Sequence, residues 1–268
     1  MSLFGKGTEA RLALVTGASS GIGRAFARRF GAGGYNLVVV GRRRDRLDAL
    51  VADLPNVQVH PVVADLGTDA GIEAIAALCA SEDLSMLINN AGVAHYMPFA
   101  ELPSSKASEL LHVKVVAPTM LARAAVPGMI ARGQGTIVNV SGMLAFSGPA
   151  SIDTLPLRRA VYTGTLAHIV AFSQALHEEL KSQGVQVQAL CPGVVATEFH
   201  ERQGLDLSAV PRMTPEDVVT ASLSGLALGE VLCAPGVERA DLLEAVFDAD
   251  LTAFAAQAPQ LADRYRPQ

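Results

Sequence analysis

Gly17, Gly21 and Gly23 stand in the stretch Leu12–Gly23, LALVTGASSGIG, at a spacing suited to holding an anion. The apolar run Leu12–Val15 ends abruptly at Thr16-Gly17, and Arg24 through Phe30 reads as a helix. The order is strand, glycine turn, helix. Gly17 permits a tight turn, Gly21 lets backbone approach a ligand closely, and Gly23 lets the helix sit against the strand. A helix starting there presents unpaired N–H groups and its positive dipole end to an anion, typically a pyrophosphate. Glycines alone are ambiguous, because ordinary turns use them. The strand before and the helix after supply the context the motif requires.

Lys114 is informative by its neighbours. On a helix it shares a face with Ala107, Leu110, Leu111 and Leu121, all apolar. An ammonium on an apolar stripe must snorkel, find a partner or lose its charge. Beside a cofactor pocket it meets this by pointing into the pocket. The alternative is a lysine on the solvent face of a helix distorted near Pro118.

The elements that position these groups follow from the alternation of apolar runs and helical stretches. Strands are expected at Leu12–Val15, Asn36–Val40, Val57–Ala64, Met86–Ile88, Thr136–Val140, Val185–Leu190 and, briefly, Val231–Cys233. Helical stretches separate them. One has Thr68 as N-cap and runs through Cys79. One runs from about 104 to 130 with an interruption near Pro118, one from Ala160 to Lys181, and one starts at Thr214-Pro215. Such alternation predicts an α/β fold, a doubly wound parallel sheet of Rossmann type, with right-handed crossovers and helices on both faces. Ligands bind beyond the carboxyl ends of strands in such sheets. Those ends carry Thr16-Gly17, Gly41-Arg42, Asp65-Leu66, Asn89–Gly92, Ser141-Gly142 and Pro192-Gly193. Polar and glycine residues thus gather on one rim of an apolar sheet.

The chain has 268 residues, half of them hydrophobic and 18% charged, which suits a sheet buried on both faces. With no repeat, low-complexity tract or linker, a single domain over 1–268 is expected. The net charge of −5 gives no reason to expect nucleic acid or an anionic membrane as partner. Cys79, Cys191 and Cys233 lack metal-ligand spacing and read as buried thiols in a reducing compartment, and no metal site is expected. The first residues, MSLFGKGTEA, are too short and polar for a signal peptide, and no apolar run reaches the length of a membrane span, so a cytoplasmic setting is expected.

These motifs, in this order, resemble the short-chain dehydrogenase/reductase family from Leu12 to about Pro235. Thr16–Gly23 matches its TGxxxGxG cofactor loop, implying cofactor contacts from Gly17, Ser19, Ser20, Gly21, Ile22 and Gly23. Asn89, Asn90, Ala91 and Gly92 match its NNAG segment. Tyr162 matches its catalytic tyrosine. Pro192, Gly193, Val195 and Thr197 fall in its PGxxxT segment, which closes over the nicotinamide, and residues 198–211 resemble its substrate lid. The resemblance implies a bound nicotinamide dinucleotide and a homodimer or homotetramer.

Arg42 and Arg43 follow the second strand, where NAD binders place an acid on the ribose, and no acid occurs until Asp45. A guanidinium is a forked, permanently charged partner for a phosphate, so NADP(H) is the expected cofactor. The alternative is a solvated charge run opening a helix. Asp65, followed by Leu66, resembles the family's adenine-contacting acid; its other reading is a helix cap.

The catalytic pattern departs from the family's Asn, Ser, Tyr and Lys. In Tyr162-Thr163-Gly164-Thr165-Leu166, leucine takes the lysine position of YxxxK, whose spacing puts both side chains on one helix face. Gly142 takes the place of the catalytic serine, and Ser141 lies one residue early, on the other face of the strand unless its end bends. Lys114 stands where the family has asparagine. One hypothesis is relocation, with Lys114 supplying the cation that Leu166 cannot. The leading expectation is an oxidoreductase for a small apolar carbonyl or alcohol, with Tyr162 and Lys114 catalytic and Ser141 a possible third member. The alternatives are a non-redox isomerase, lyase or cyclase using Tyr162 and Lys114, and a silent cofactor-binding regulatory protein. The connection 143–160, with Pro149, Asp153, Pro156, Arg158 and Arg159, is expected in the pocket wall or a subunit contact. His95 and Tyr96 are expected at the substrate mouth.

Overall fold

The computed structural model describes residues 3–4, 11–151, 153, 158–239 and 241–266. The chain divides into two compact units, Met1–Pro235 and Gly236–Gln268, where the sequence predicts one domain. Pro156 lies outside the described residues.

In the first unit, seven described strands form one parallel sheet in the order β3-β2-β1-β4-β5-β6-β7. They are β1 (Leu12–Thr16), β2 (Asn36–Gly41), β3 (Val59–Val63), β4 (Leu84–Asn89), β5 (Gly135–Val140), β6 (Val185–Leu190) and β7 (Leu232–Cys233). Each lies within two residues of its expected bounds. β1 is central: Leu14 pairs with Val38 on one side and Leu87 on the other. All its residues are buried, as a strand covered on both faces must be. The strand order reverses between β1 and β4, so the crevice at their carboxyl ends is where a ligand can enter.

The helices are α1 (Gly21–Ala32), α2 (Arg44–Ala52), α3 (Asp69–Ser81), α4 (Ser104–Leu111), α5 (Ala117–Ala131), α6 (Ala160–Leu180) and α7 (Pro215–Leu228). Thr68 caps α3 by accepting from the Gly71 N–H at 3.1 Å. Thr214 caps α7 by accepting from Asp217 N–H at 3.1 Å, with Pro215 at the first helical position where its missing N–H costs nothing.

The expected break near Pro118 takes another form. Residues His112–Val116 make a π turn that carries α4 into α5. Pro118 has no N–H to give to the carbonyl of Lys114, so the ladder widens here, and Ala117 N–H reaches back to His112. Thr119 Oγ1 donates to the Val115 carbonyl at 2.7 Å. The resulting run Ser104–Ala131 is 28 residues, long and apolar enough by length and composition to cross a membrane, which corrects the expectation that no run is. It packs against α3 and β4 as a core helix.

In the second unit, α8 (Asp241–Ala255) is a helix the sequence did not predict, and none of its residues is buried.

Candidate active site

The carboxyl ends of β1, β2, β4, β5 and β6 open on one cavity of about 400 Å³. Every expected cofactor or catalytic residue lines it except Gly23 and Asn89. Gly17 (φ +66°) and Gly21 (φ +54°) hold the left-handed backbone that the turn into α1 requires. A Cβ on Gly23 would sit 2.4 Å from the Gly17 carbonyl oxygen, so Gly23 is what lets α1 pack onto the turn. A Cβ on Gly21 would meet the Thr197 methyl at 2.9 Å, so the segment after β6 is seated over the glycine turn.

The NNAG segment is pinned to that turn. Thr16 Oγ1 accepts from the N–H groups of Asn90 (2.9 Å) and Ala91 (3.0 Å), and Asn90 Nδ2 donates to the Thr16 carbonyl at 3.0 Å. Asn89 does not line this cavity. Its Nδ2 donates to Asn139 Oδ1 at 2.8 Å, and Asn139 Nδ2 donates to Ser173 Oγ at 3.0 Å. This buried chain ties β4 and β5 to α6, the helix that carries Tyr162. Asn89 therefore supports the site from beneath, because its position at the last residue of β4 turns it into the layer between sheet and helices.

At one end of the cavity lies an arginine cluster. Arg43 Nη2 donates to Ser19 Oγ and Ser20 Oγ, both at 2.9 Å, and its Nη1 lies 2.6 Å from Glu198 Oε1. Arg46 and Arg202 also reach Glu198, at 2.9 and 3.2 Å. Partial burial raises the Glu198 pKa, but bonds from Arg43, Ser20 and Arg46 outweigh it and bring the carboxyl down to about 2. Arg42 faces Glu109 (3.6 Å) and Asp65 (3.9 Å) instead. Asp65 Oδ1 accepts from the Gly67 N–H at 3.0 Å, and Thr68, not Asp65, caps α3. The glycine turn and the seated Thr197 fit a nicotinamide dinucleotide.

At the other end stands Tyr162, buried at 7% exposure, its ring edge-on to that of Tyr96 at 5.6 Å between centroids. Burial first, then Tyr96, pushes the Tyr162 pKa well above the ordinary phenol value, and burial pushes Tyr96 up to about 12. Both stay protonated at neutral pH. His200 stacks on Tyr96 with centroids 6.5 Å apart. Lys114 lines the same cavity, and its Nζ donates to the Val140 carbonyl at 3.0 Å. Burial lowers its pKa to about 8. The ammonium is thus directed at the end of β5, while Tyr162 has the ring of Tyr96 beside it.

Ser141 lines the cavity, and its Oγ donates to the Leu166 carbonyl at 2.9 Å, because α6 packs closely over the end of β5. A Cβ on Gly142 would make ordinary contacts at 3.6 Å with Leu166 Cδ1 and the Pro192 carbonyl, so the serine position has room but no hydroxyl. Leu166 fills the lysine position and is 1% exposed. In the 143–160 connection, Met143 and Leu144 line the cavity, Asp153 is exposed, and Arg159 staples the loop by donating to Ser147 Oγ (3.0 Å) and the Ser147 carbonyl (2.7 Å). His95 is held by Glu109 at 2.9 Å.

The sequence missed Glu198, Arg46, Arg202 and the contact of Tyr96 with Tyr162. The four-residue spacing of Glu198 and Arg202 was the one local signal, whereas Arg46 meets Glu198 across 152 positions.

A family model described as short chain dehydrogenase matches residues 11–207. A very-long-chain 3-oxoacyl-CoA reductase of Pyrenophora tritici-repentis is 33% identical over 232 residues, 83% of this chain and 65% of that protein. An inactive hydroxysteroid dehydrogenase-like protein 1 of Pongo abelii is 33% identical over 195 residues, 70% of this chain and 57% of that protein. The chain thus spans just under two thirds of the length of the first of these curated relatives. A solved short-chain dehydrogenase from Sphingobium yanoikuyae, in complex with NADPH, matches with a TM-score of 0.89 at 33% identity, over 96% of this chain and 100% of that one.

Proposed function

The chain belongs to the short-chain dehydrogenase family, and from that premise we propose that it binds NADP(H) and reduces a small, largely apolar ketone, with Tyr162 giving up the proton. The observation that carries this reading is the placement of the Tyr162 phenol in the same cavity as the glycine turn and the guanidinium of Arg43.

NADPH, when bound, supplies the hydride. The chain does the rest. Gly17 and Gly21 would let backbone approach the cofactor's pyrophosphate, Arg43 would hold its 2′-phosphate, and Pro192, Gly193 and Thr197 would cover its nicotinamide end. Val93, Val113, Leu144, Leu166 and Phe199 give the substrate end apolar walls. Tyr162 hands its proton to the carbonyl oxygen as negative charge develops there. A phenol whose pKa burial has raised is a poor base but still a donor to an alkoxide, which is more basic than any phenolate. The protonated phenol present at neutral pH is the form that reduction requires. Lys114 adds an ammonium to the cavity wall that can stabilise the same developing charge through space.

The relatives support the cofactor and a ketone as substrate, though not its small size: one solved neighbour holds NADPH, and one relative is named for reducing a very-long-chain 3-oxoacyl-CoA. The test is NADPH oxidation followed at 340 nm against methyl ketones and 3-oxoacyl thioesters of increasing chain length. Turnover is expected for the wild type. Tyr162→Phe should lose about a hundredfold or more of it, with NADPH binding kept.

A second reading has its own observation. Leu166 and Gly142 remove two of the family's polar groups, and one relative is named inactive. A wild type that binds NADPH yet oxidises it with no member of the panel favours a silent cofactor-binding protein. Conversion of a substrate without cofactor turnover favours an isomerase, lyase or cyclase.

A further inference from the structure

The geometry points to Glu198 as an internal stand-in for a phosphomonoester: its carboxylate closes the arginine site that the 2′-phosphate of NADP(H) takes over, and the exchange passes the lid's fastening from Glu198 to Arg202. This rests on the cofactor reading above.

The site is assembled from separate segments. Arg43 precedes α2, Arg46 lies within it, and Arg202 comes from the lid itself. Glu198 Oε1 takes Arg43 and Arg202, and Oε2 takes Arg46. The same Arg43 guanidinium holds Ser19 and Ser20 in the glycine turn. The anion site therefore adjoins the segment that would carry the pyrophosphate, as the phosphate on an adenosine ribose requires.

Charge argues for exchange rather than coexistence. Three guanidinium groups face one carboxylate, so the cluster keeps an excess of positive charge. Burial first, and then repulsion from Arg43, lowers the Arg202 pKa. A phosphomonoester carries close to two negative charges at neutral pH and offers three acceptor oxygens, a better match to three arginines than a carboxylate. A phosphate placed among them would repel Glu198. The carboxyl is ionised throughout the neutral range, so a competing anion, and not a change of pH, unseats it.

The exchange reaches the substrate end through adjacent residues. Glu198 follows Thr197, which sits on Gly21, and precedes Phe199 and His200, whose rings meet edge-on at 5.3 Å. His200 in turn stacks on Tyr96, the partner of Tyr162. Glu198 fastens the lid beside the phenol pair until the phosphate arrives.

The experiment measures binding of 2′,5′-ADP and of 5′-ADP by calorimetry at low ionic strength, with wild type, Glu198→Gln and Arg202→Ala. Glu198→Gln should bind 2′,5′-ADP about tenfold more tightly and 5′-ADP unchanged, and Arg202→Ala should weaken 2′,5′-ADP alone. Trypsin should cut at Arg212 faster in Glu198→Gln than in wild type. A wild type that prefers 2′,5′-ADP, with Glu198→Gln no tighter and no faster cut, overturns the latch and leaves the cofactor reading standing. A wild type indifferent to the 2′-phosphate, with Glu198→Gln preferring it, upholds the latch and overturns the NADP(H) preference.

Discussion

Lys114 Nζ donates to the carbonyl oxygen of Val140 across 3.0 Å, joining the π turn to the end of β5. The bond puts a charged group, 5% exposed, where the family has asparagine. One hydrogen bond to a neutral carbonyl does not replace an ammonium's hydration, which is why burial brings this lysine down to about 8.

The buried ammonium makes stability depend on pH. The folded-state pKa lies below the ordinary value of 10.5, at about 8. Between those values the unfolded chain binds more protons than the folded one, so stability rises with pH across that window. Below about 8 both states are protonated and the full penalty is present, on the order of 3 kcal/mol. Lys114→Met removes that penalty and gives up the bond to Val140. In urea unfolding, the wild type should gain on the variant as pH rises from 8 to 10.5. Parallel stability curves for the two proteins would contradict this.

Cofactor choice should depend on Arg43 more than on Arg42. Arg43 touches Ser19, Ser20 and Glu198, whereas Arg42 is turned toward Glu109 and Asp65. Arg43→Ala should weaken NADPH about tenfold or more and leave NADH nearly unchanged, closing the gap between them; losing a charge-assisted phosphate contact costs about this much. Arg42→Ala should narrow the gap by a few-fold. Equal affinities of the wild type for both cofactors, by calorimetry, would remove the basis for both expectations.

Assembly is expected through α5 and α6, which resemble the helices that pair between the family's subunits. Met120 on α5 is 44% exposed, a large apolar group on that helix. Light scattering should give twice or four times the monomer mass of 27.9 kDa, and Met120→Glu should shift the protein toward the monomer. A wild-type mass of one chain at micromolar concentration would refute the assembly.

What the sequence disclosed was local. Gly17, Gly21 and Gly23 announce themselves because a strand, a turn and a helix lie within a dozen residues, and Thr68 shows as a cap three residues before its partner Gly71. The strands were legible because a sheet buried on both faces leaves unbroken apolar runs such as β1 and β2. What was hidden depends on meetings between distant segments. No pattern near Ser141 reveals that its hydroxyl is committed to the Leu166 carbonyl. Tyr96 and Tyr162 are 66 positions apart in sequence and meet only because the segment after β4 and α6 converge on one rim. The π turn escaped because a proline reads as a helix break, whereas a widened turn absorbs the missing N–H.

The catalytic wall offers the sharpest test, because each substitution has a structural reason. If Lys114 supplies the charge stabilisation that Leu166 cannot, Lys114→Met should abolish turnover while changing NADPH affinity less than about twofold. Leu166→Lys alone should help little, since it would put a second ammonium in the cavity that Lys114 already lines, and like charges there repel. The family pattern can be rebuilt in full with Lys114→Asn, Gly142→Ser and Leu166→Lys. Gly142 has room for the serine, at 3.6 Å from its nearest neighbours, and Leu166 lies on the cavity wall one helical turn from Tyr162. That triple variant should reduce simple ketones at least about a hundredfold faster than Leu166→Lys alone, the scale of a restored acid–base pair. Its pH profile should also show a new ionisation, because a nearby lysine lowers the phenol pKa that burial now raises. If wild type and Lys114→Met are equally inert toward the panel and only the triple variant turns over, Lys114 is no relocated catalyst. The native site would then be one from which hydride transfer has been lost.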